Sequence, residues 1–174
     1  EGVIILTGRA MKNLIFINGT MGVGKTATSR ELQKILAPSV FLDGDWCWNM
    51  EPFIETDETK KMVTGNICYM LNSFLGCTEF QNIIFCWVMH EQEIIDHIRS
   101  RLDTRECNVK TISLVCDKAA LAKRLQKDIG QGIRQPGDIA RSSERMPLYE
   151  KLNTVKMDVS NLTPAETAEQ IALL

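Results

Sequence analysis

A glycine-rich stretch that ends in lysine and threonine carries the clearest chemical signal in this chain. Residues 19–26 read GTMGVGKT and fit G-x-x-x-x-G-K-[ST], the spacing of a phosphate-binding loop. The glycines let backbone N–H groups approach phosphate oxygens, the lysine reaches the β- and γ-phosphates, and the final hydroxyl binds Mg²⁺. The residues expected to hold a nucleoside triphosphate and its Mg²⁺ are Gly19, Thr20, Met21, Gly22, Val23, Gly24, Lys25 and Thr26. A chance glycine turn is the alternative.

Two aspartates form a second candidate centre. Asp43 and Asp45 follow residues 40–42, a short apolar run that predicts a strand. In an open α/β sheet, ligands bind outside the carboxyl ends of the strands, so this acidic turn is expected beside the phosphate-binding loop. Either carboxylate can orient an acceptor hydroxyl or accept its proton, and we expect Asp45 to join Thr26 at the metal. Which aspartate is the base stays open, as does the alternative that they only cap the turn.

Arginines surround a segment rich in glycine and proline. Residues 130–138 contain three glycines and one proline, which predicts a mobile segment. Arg134, Arg141 and Arg145 lie within or after it. Arginine suits phosphate because its planar fork matches two phosphate oxygens and keeps its charge. We therefore predict that residues 130–145 form a lid that closes on phosphates, with Arg134 and Arg145 in catalysis. A merely solvated surface is the other reading.

The apolar pattern predicts alternating strands and helices that would position these groups. A buried strand at residues 14–18 precedes the loop, and a helix at residues 27–36 follows it. Further strands are expected at residues 40–42, 82–89, 109–116 and 154–159, with helices between them. Near-continuous apolar runs are typical of strands buried in a parallel sheet. The chain therefore predicts a single α/β domain over residues 1–174.

Residues 44–75 are the candidate acceptor-binding region. Trp46 and Trp48 begin it and could form the wall of a pocket, although core packing explains them equally well. A helix that starts near Thr56, with carboxylates in its first turn, would cover the acceptor. His90 follows the third strand, where a role in the reaction and a role in helix capping both remain open.

The composition narrows the classes of partner. A chain of 174 residues with a formal charge of -2 has no broad positive field for nucleic acid. Its apolar runs are too short for a membrane span, and no cleavable signal pattern is visible. Six cysteines without a C-x-x-C pair argue against zinc and indicate a reducing, cytoplasmic setting. Residues 1–10 fit either a first strand or a leader.

The alternation around the loop resembles the nucleoside and nucleotide kinase branch of P-loop proteins over residues 11–174. Residues 42–45 are similar to the Asp-Gly-Asp turn of adenylylsulfate kinases. Shikimate and gluconate kinases and chloramphenicol phosphotransferase share this architecture. Residues 138–149 resemble the helix after the lid of adenylate kinases, where Arg145 matches an arginine that contacts phosphates. By the same resemblance, Arg134 corresponds to the lid arginine and Arg124 to the arginine that packs on adenine.

This resemblance implies a three-layer P-loop NTPase fold, with a five-stranded parallel sheet of order 2-3-1-4-5 and a short lid. It also implies transfer of the γ-phosphate of ATP, with Mg²⁺, to a small hydroxylated or phosphorylated acceptor. Residues 87–90, Trp-Val-Met-His, replace the Asp-Gly-Phe-Pro-Arg-like sequence of nucleotide kinases, which argues against a nucleoside monophosphate acceptor. The acceptor, the choice between ATP and GTP and the oligomeric state stay open. The alternative function is a nucleotide-binding or NTPase module that uses no small-molecule acceptor.

Overall fold

A computed structural model describes residues 11–174 of the chain. The two readings of residues 1–10 lie outside the described residues. Within residues 11–174, no helix combines the length and the apolar character that crossing a membrane requires.

In the described part of the chain, five parallel strands form one sheet. They are β1 (Lys12–Asn18), β2 (Ser39–Asp43), β3 (Asn82–Cys86), β4 (Cys107–Val115) and β5 (Val155–Asp158). Their spatial order is β2-β3-β1-β4-β5, and every neighbouring pair is parallel. The predicted order 2-3-1-4-5 is confirmed. Because all strands run the same way, the loops that follow them gather at one edge of the sheet.

Within residues 11–174, six α-helices connect the strands and cover the sheet on both sides. They are α1 (Lys25–Ile35), α2 (Asp57–Gly76), α3 (Gln92–Arg99), α4 (Lys118–Gly130), α5 (Asp138–Glu150) and α6 (Pro164–Ala172). A short 3-10 helix, Gly44–Trp48, follows β2. The crossovers between parallel strands carry the helices, as this fold class requires.

The centre of the sheet is dry because β1 and β3 are buried on both faces. Leu14, Phe16 and Phe85 have no exposed surface. The rings of Phe16 and Phe85 meet edge to face with centroids 5.3 Å apart, a favourable arrangement of aromatic pairs. This packing fixes the ends of the two central strands, and the phosphate-binding loop leaves directly from one of them.

The third strand is shorter than the sequence predicted. The apolar run over residues 82–89 suggested one continuous strand, but β3 ends at Cys86. Its last residue pairs with Ile17 of β1 and Asp43 of β2. β2 ends at this pair, and β1 ends one residue later at Asn18, which pairs with Ser113 of β4. The Trp87 backbone N–H still donates to the Ile17 carbonyl oxygen, and the side chains of Trp87 and Val88 line the site.

Two predicted helix starts are confirmed by their caps. Thr163 accepts a hydrogen bond from the Glu166 backbone, while the Glu166 carboxylate accepts one from the Thr163 backbone. Thr56 and Thr59 form the same reciprocal arrangement at the start of α2. These caps satisfy N–H groups that a helix leaves unpaired in its first turn. The cap of α2 fixes where the covering helix begins within the predicted acceptor region, residues 44–75.

Candidate active site

The phosphate-binding loop has a backbone that requires glycine. Gly19 and Gly22 have φ angles of 146° and 81°, a region that side chains rarely adopt. A Cβ on Gly19 would lie 2.7 Å from the Leu114 carbonyl oxygen, and one on Gly22 would overlap the Leu125 side chain. The glycines therefore let the loop lie against β4 and α4 while its N–H groups remain available to a phosphate.

Lys25 is the first residue of α1, and its side chain folds back over the loop. Its Nζ donates a hydrogen bond to the Thr20 carbonyl oxygen at 3.0 Å. Burial lowers the pKa of Lys25, while the nearby carboxylates of Asp45 and Asp43 act in the opposite direction. An anion beside this ammonium would favour its charged form. The start of the helix adds its own unpaired N–H groups, so this point is suited to a phosphate.

Asp43 connects the acidic turn to the loop. The Thr26 hydroxyl donates to Asp43 Oδ2 at 2.6 Å, and Asp43 Oδ1 accepts from the Asp45 backbone N–H at 3.1 Å. Asp43 is buried, with 5% of its surface exposed. The residue thus both caps the 3-10 helix and accepts from the Thr26 hydroxyl. The sequence had paired Thr26 with Asp45, but the carboxylate in contact with Thr26 is that of Asp43, because it ends β2 while Asp45 lies one turn further.

The Asp45 side chain is hydrogen-bonded to a tryptophan. Trp87 Nε1 donates to Asp45 Oδ1 at 3.1 Å. The Trp87 ring lies on Gly44, where an added Cβ would come within 2.5 Å of its Cγ. Burial and the neighbouring Asp43 carboxylate raise the pKa of Asp45, while Lys25, Trp87 and Arg134 lower it. Sequence reasoning missed the role of Trp87, since a tryptophan at the end of an apolar run resembles a core residue.

The donors at Thr26 and Asp43 fit Mg²⁺. Among residues 11–174 there is no group of three or more His, Cys, Asp or Glu side chains that could hold a metal ion. Mg²⁺ does not need such a cage, because it keeps several waters and takes one or two protein oxygens together with substrate phosphates. A hydroxyl and a carboxylate 2.6 Å apart supply those oxygens.

Two of the predicted lid arginines reach the site and one does not. The charge of Arg134 lowers the pKa of both Lys25 and Asp45. Its Nε has no hydrogen-bond partner among residues 11–174, although it lies 3.9 Å from Asp128 Oδ2. Arg145 lines the cavity beside Asp45. Arg141 instead pairs with Asp138 at 3.2 Å and is 57% exposed. The non-helical part of the lid is limited to residues 131–137, between α4 and α5.

Arg124 connects the phosphate-binding loop to the segment that follows β5. Its guanidinium donates to the Val23 carbonyl oxygen at 3.1 Å, to the Leu162 carbonyl oxygen at 3.3 Å and to the Val159 carbonyl oxygen. These bonds use the edge of the guanidinium. Its planar face is what an adenine ring would stack on, so the expected packing on the base stays a prediction.

Ser142 connects α5 to the phosphate-binding loop through hydrogen bonds. The Ser142 hydroxyl donates to the Met21 carbonyl oxygen, and the Thr20 hydroxyl donates to the Ser142 carbonyl oxygen at 2.9 Å. Thr20 is fully buried and Ser142 is 1% exposed. No sequence pattern indicates this contact, since it joins residues about 120 positions apart. These bonds hold α5 against the phosphate-binding loop.

A cavity of about 810 Å³ has Asp45 in its lining. Residues 45–64 form one wall and α3, with the segment before it, forms the other. The apolar lining is Trp48, Phe53, Trp87, Val88 and Ile94, and the polar lining is Asp45, Glu55, Lys60, Thr64, His90, Glu91, Glu93, His97 and Arg145. The prediction of an acceptor region at residues 44–75 had omitted the second wall.

The two tryptophans of the acidic turn have different surroundings. Trp48 lines the cavity, in agreement with one of the two readings of the sequence. Trp46 lies outside it, 51% exposed, with its ring 5.3 Å from that of Phe41. His90 also lines the cavity, and its Nε2 lies 3.5 Å from Glu91. Trp48 and His90 therefore remain candidates for contact with an acceptor, and Trp46 does not.

Kinases are among the known proteins that this chain resembles. A family model described as an AAA domain matches residues 15–146. A shikimate kinase from Bacillus cytotoxicus is 26% identical over 170 residues, which cover 90% of this chain and 94% of the relative. The structure of a Deinococcus radiodurans tunicamycin resistance protein aligns with a TM-score of 0.66 at 20% identity, covering 93% and 94% of the two chains. A gluconokinase from Sinorhizobium meliloti aligns with a TM-score of 0.66 at 18% identity, covering 93% and 90%. The predicted P-loop kinase fold is confirmed.

Proposed function

Because the chain belongs to the AAA domain family of P-loop proteins, we propose that it is an ATP-dependent phosphotransferase. It moves the γ-phosphate of ATP to a small hydroxylated or phosphorylated acceptor. The relatives named above include a shikimate kinase and a gluconokinase, so a small polyhydroxylated acceptor is the starting point. The proposal rests on the different surroundings of the two aspartates. Asp43 contacts Thr26, and Asp45 lines a cavity.

The nucleotide side holds the triphosphate. The amides of residues 19–26 and the Lys25 ammonium bind the phosphate oxygens. Thr26 and Asp43 would hold Mg²⁺, which neutralises charge on the phosphates when it is bound. Arg124 secures the loop from behind through its bond to Val23.

The acceptor side supplies the base. Asp45 lies at the boundary between the cavity and the loop, where its carboxylate can accept the proton of an acceptor hydroxyl as the hydroxyl oxygen attacks the γ-phosphorus. The proton moves to the Asp45 oxygen, the bond from the γ-phosphorus to the bridging oxygen breaks, and ADP leaves. Arg134 and Arg145 stabilise the charge on the transferring group. Trp87 keeps the Asp45 carboxylate aimed into the cavity through its 3.1 Å hydrogen bond.

Release of ADP in the presence of candidate acceptors tests this function. Hydroxylated metabolites, antibiotics and nucleosides are screened with ATP and Mg²⁺, and product is verified as a phosphate ester. An acceptor that stimulates ADP release and becomes phosphorylated supports the proposal. Slow hydrolysis that no acceptor in a broad screen stimulates would favour an NTPase module instead, since such a module needs no acceptor cavity.

A further inference from the structure

We infer that the acceptor is a neutral or cationic alcohol with an apolar ring face, and not a carboxylate or a phosphate ester. The inference rests on the proposed phosphotransferase function and concerns the charge of the same cavity. It narrows the acceptor from a broad class of small hydroxylated or phosphorylated molecules.

The permanent cations that line the cavity are already engaged and cannot pair with an anionic acceptor. Among its described lining residues, the permanent cations are Lys60 and Arg145. Lys60 Nζ already lies 3.1 Å from a Glu55 carboxylate oxygen. Arg145 serves the transferring phosphate in the proposed mechanism. A carboxylate on the acceptor would therefore lose its hydration without gaining a free cation, and that loss is costly.

Carboxylates outnumber cations along the lining. Asp45, Glu55, Glu91 and Glu93 face Lys60 and Arg145, so four negative groups oppose two positive ones. A concave surface with an excess of one sign of charge concentrates counter-ions of the opposite sign. Bound ATP adds more negative charge beside Asp45. An ammonium group would be attracted to this cavity, and a second anion would be repelled.

Aromatic surface supplies the remaining contacts. The rings of Trp48 and Phe53 lie with centroids 5.5 Å apart at an interplanar angle of 42°. Trp87 lines the same cavity while its N–H is engaged by Asp45. Flat apolar faces of this kind bind a ring by burial, and they attract a cation by the charge distribution of the indole. The cavity therefore combines a ring-binding wall with a negative rim.

Ion-specific fluorescence quenching measures the charge of the cavity directly. The chain contains three tryptophans, and Trp46→Phe leaves emission only from Trp48 and Trp87, which both line the cavity. Quenching by caesium and by iodide is compared at equal ionic strength, with N-acetyltryptophanamide as the uncharged reference. We expect the caesium-to-iodide ratio to exceed that of the reference by about threefold or more, since such potentials reach several kT.

Variants that remove carboxylates identify which side chains cause the preference for caesium. In the Trp46→Phe background, Glu91→Gln combined with Glu93→Gln should bring the ratio close to that of the reference. Glu169→Gln, an exposed change on α6 outside the cavity, is the matched control and should leave it unchanged. Iodide quenching equal to or stronger than caesium quenching would overturn the inference.

A matched set of ligands tests the acceptor class itself. The para-hydroxymethyl derivatives of benzylamine, benzamide and benzoate share one ring and one alcohol and differ in charge. Binding is followed by calorimetry without ATP, so the result does not depend on phosphoryl transfer. The amine and the amide should bind more tightly than the benzoate, and benzoate binding as tight as that of the amine would contradict the inference. Failure of the phosphotransferase function would appear differently, as retained charge preference with no acceptor-stimulated ADP release.

Discussion

The nucleotide side and the acceptor side of this site are built in different ways. The nucleotide side is one continuous segment, residues 19–26, whose strained glycines and following helix create phosphate-binding groups by themselves. The acceptor cavity collects side chains from residues 45–64, from the end of β3 and α3, and from Arg145 in α5. A local motif therefore reveals the donor, while the acceptor depends on packing between distant segments.

Replacing Lys25 with alanine should give the largest effect on the nucleotide side. The substitution removes the ammonium that holds the β- and γ-phosphates, and turnover should fall about 10³-fold or more. Steady-state ADP release measures the loss, with circular dichroism to verify the fold. Lys34→Ala, an exposed change near the end of the same helix, is the matched control. Normal turnover in Lys25→Ala would remove the basis for the nucleotide site.

Asp43→Asn should weaken the magnesium dependence. Asparagine keeps an oxygen for the Asp45 backbone N–H but loses the negative charge that faces Thr26. Changes in residues that support a metal site cost about 10–100-fold in metal affinity or activity. Titration of ADP release with Mg²⁺ should show a higher half-saturation value. An unchanged magnesium curve would mean that Asp43 only caps the turn.

Trp87→Phe should affect the acceptor side alone. Phenylalanine keeps an aromatic ring on Gly44 but cannot donate to Asp45. A hydrogen bond to a charged group contributes about 1.5–3 kcal/mol, so kcat for acceptor phosphorylation should fall about tenfold. The KM for ATP should stay the same. In an Asp45→Asn background the tryptophan change should add little, and a full additional tenfold loss there would show that Trp87 acts by another route.

Ser142→Ala should lower stability more than it changes chemistry. The buried hydroxyl donates to the Met21 carbonyl oxygen, and losing this bond should cost about 1 kcal/mol of unfolding free energy. Urea unfolding measures the change. Ser143→Ala alters the half-buried neighbouring position and is expected to cost less. Equal stability of the Ser142 variant and the wild type would show that α5 is not held to the loop through this contact.

The sequence predicted the fold because the fold follows from local patterns. Apolar runs marked all five strands, and capping residues such as Thr163 marked helix starts. The predicted end of the third strand was wrong, and the cause lies in the strands beside it. The third strand stops at Cys86 because β2 ends beside it and β1 ends one residue later, and no pattern within residues 82–89 records that.

The site was predicted on its nucleotide side and only partly on its acceptor side. Spacing identified the loop, and the acidic turn was recognised, but the different surroundings of Asp43 and Asp45 depend on Thr26 and Trp87. These partners lie 17 and 42 positions away, so they could be found only once the chain was folded. The second wall of the cavity was missed for the same reason.

Asp45→Asn separates the roles of the two aspartates. ATP affinity and acceptor-stimulated ADP release are measured on the same protein. We expect unchanged ATP affinity and a loss of acceptor-stimulated release of about 10²-fold or more, because a general base contributes on that order. Undiminished acceptor phosphorylation by Asp45→Asn would contradict this expectation.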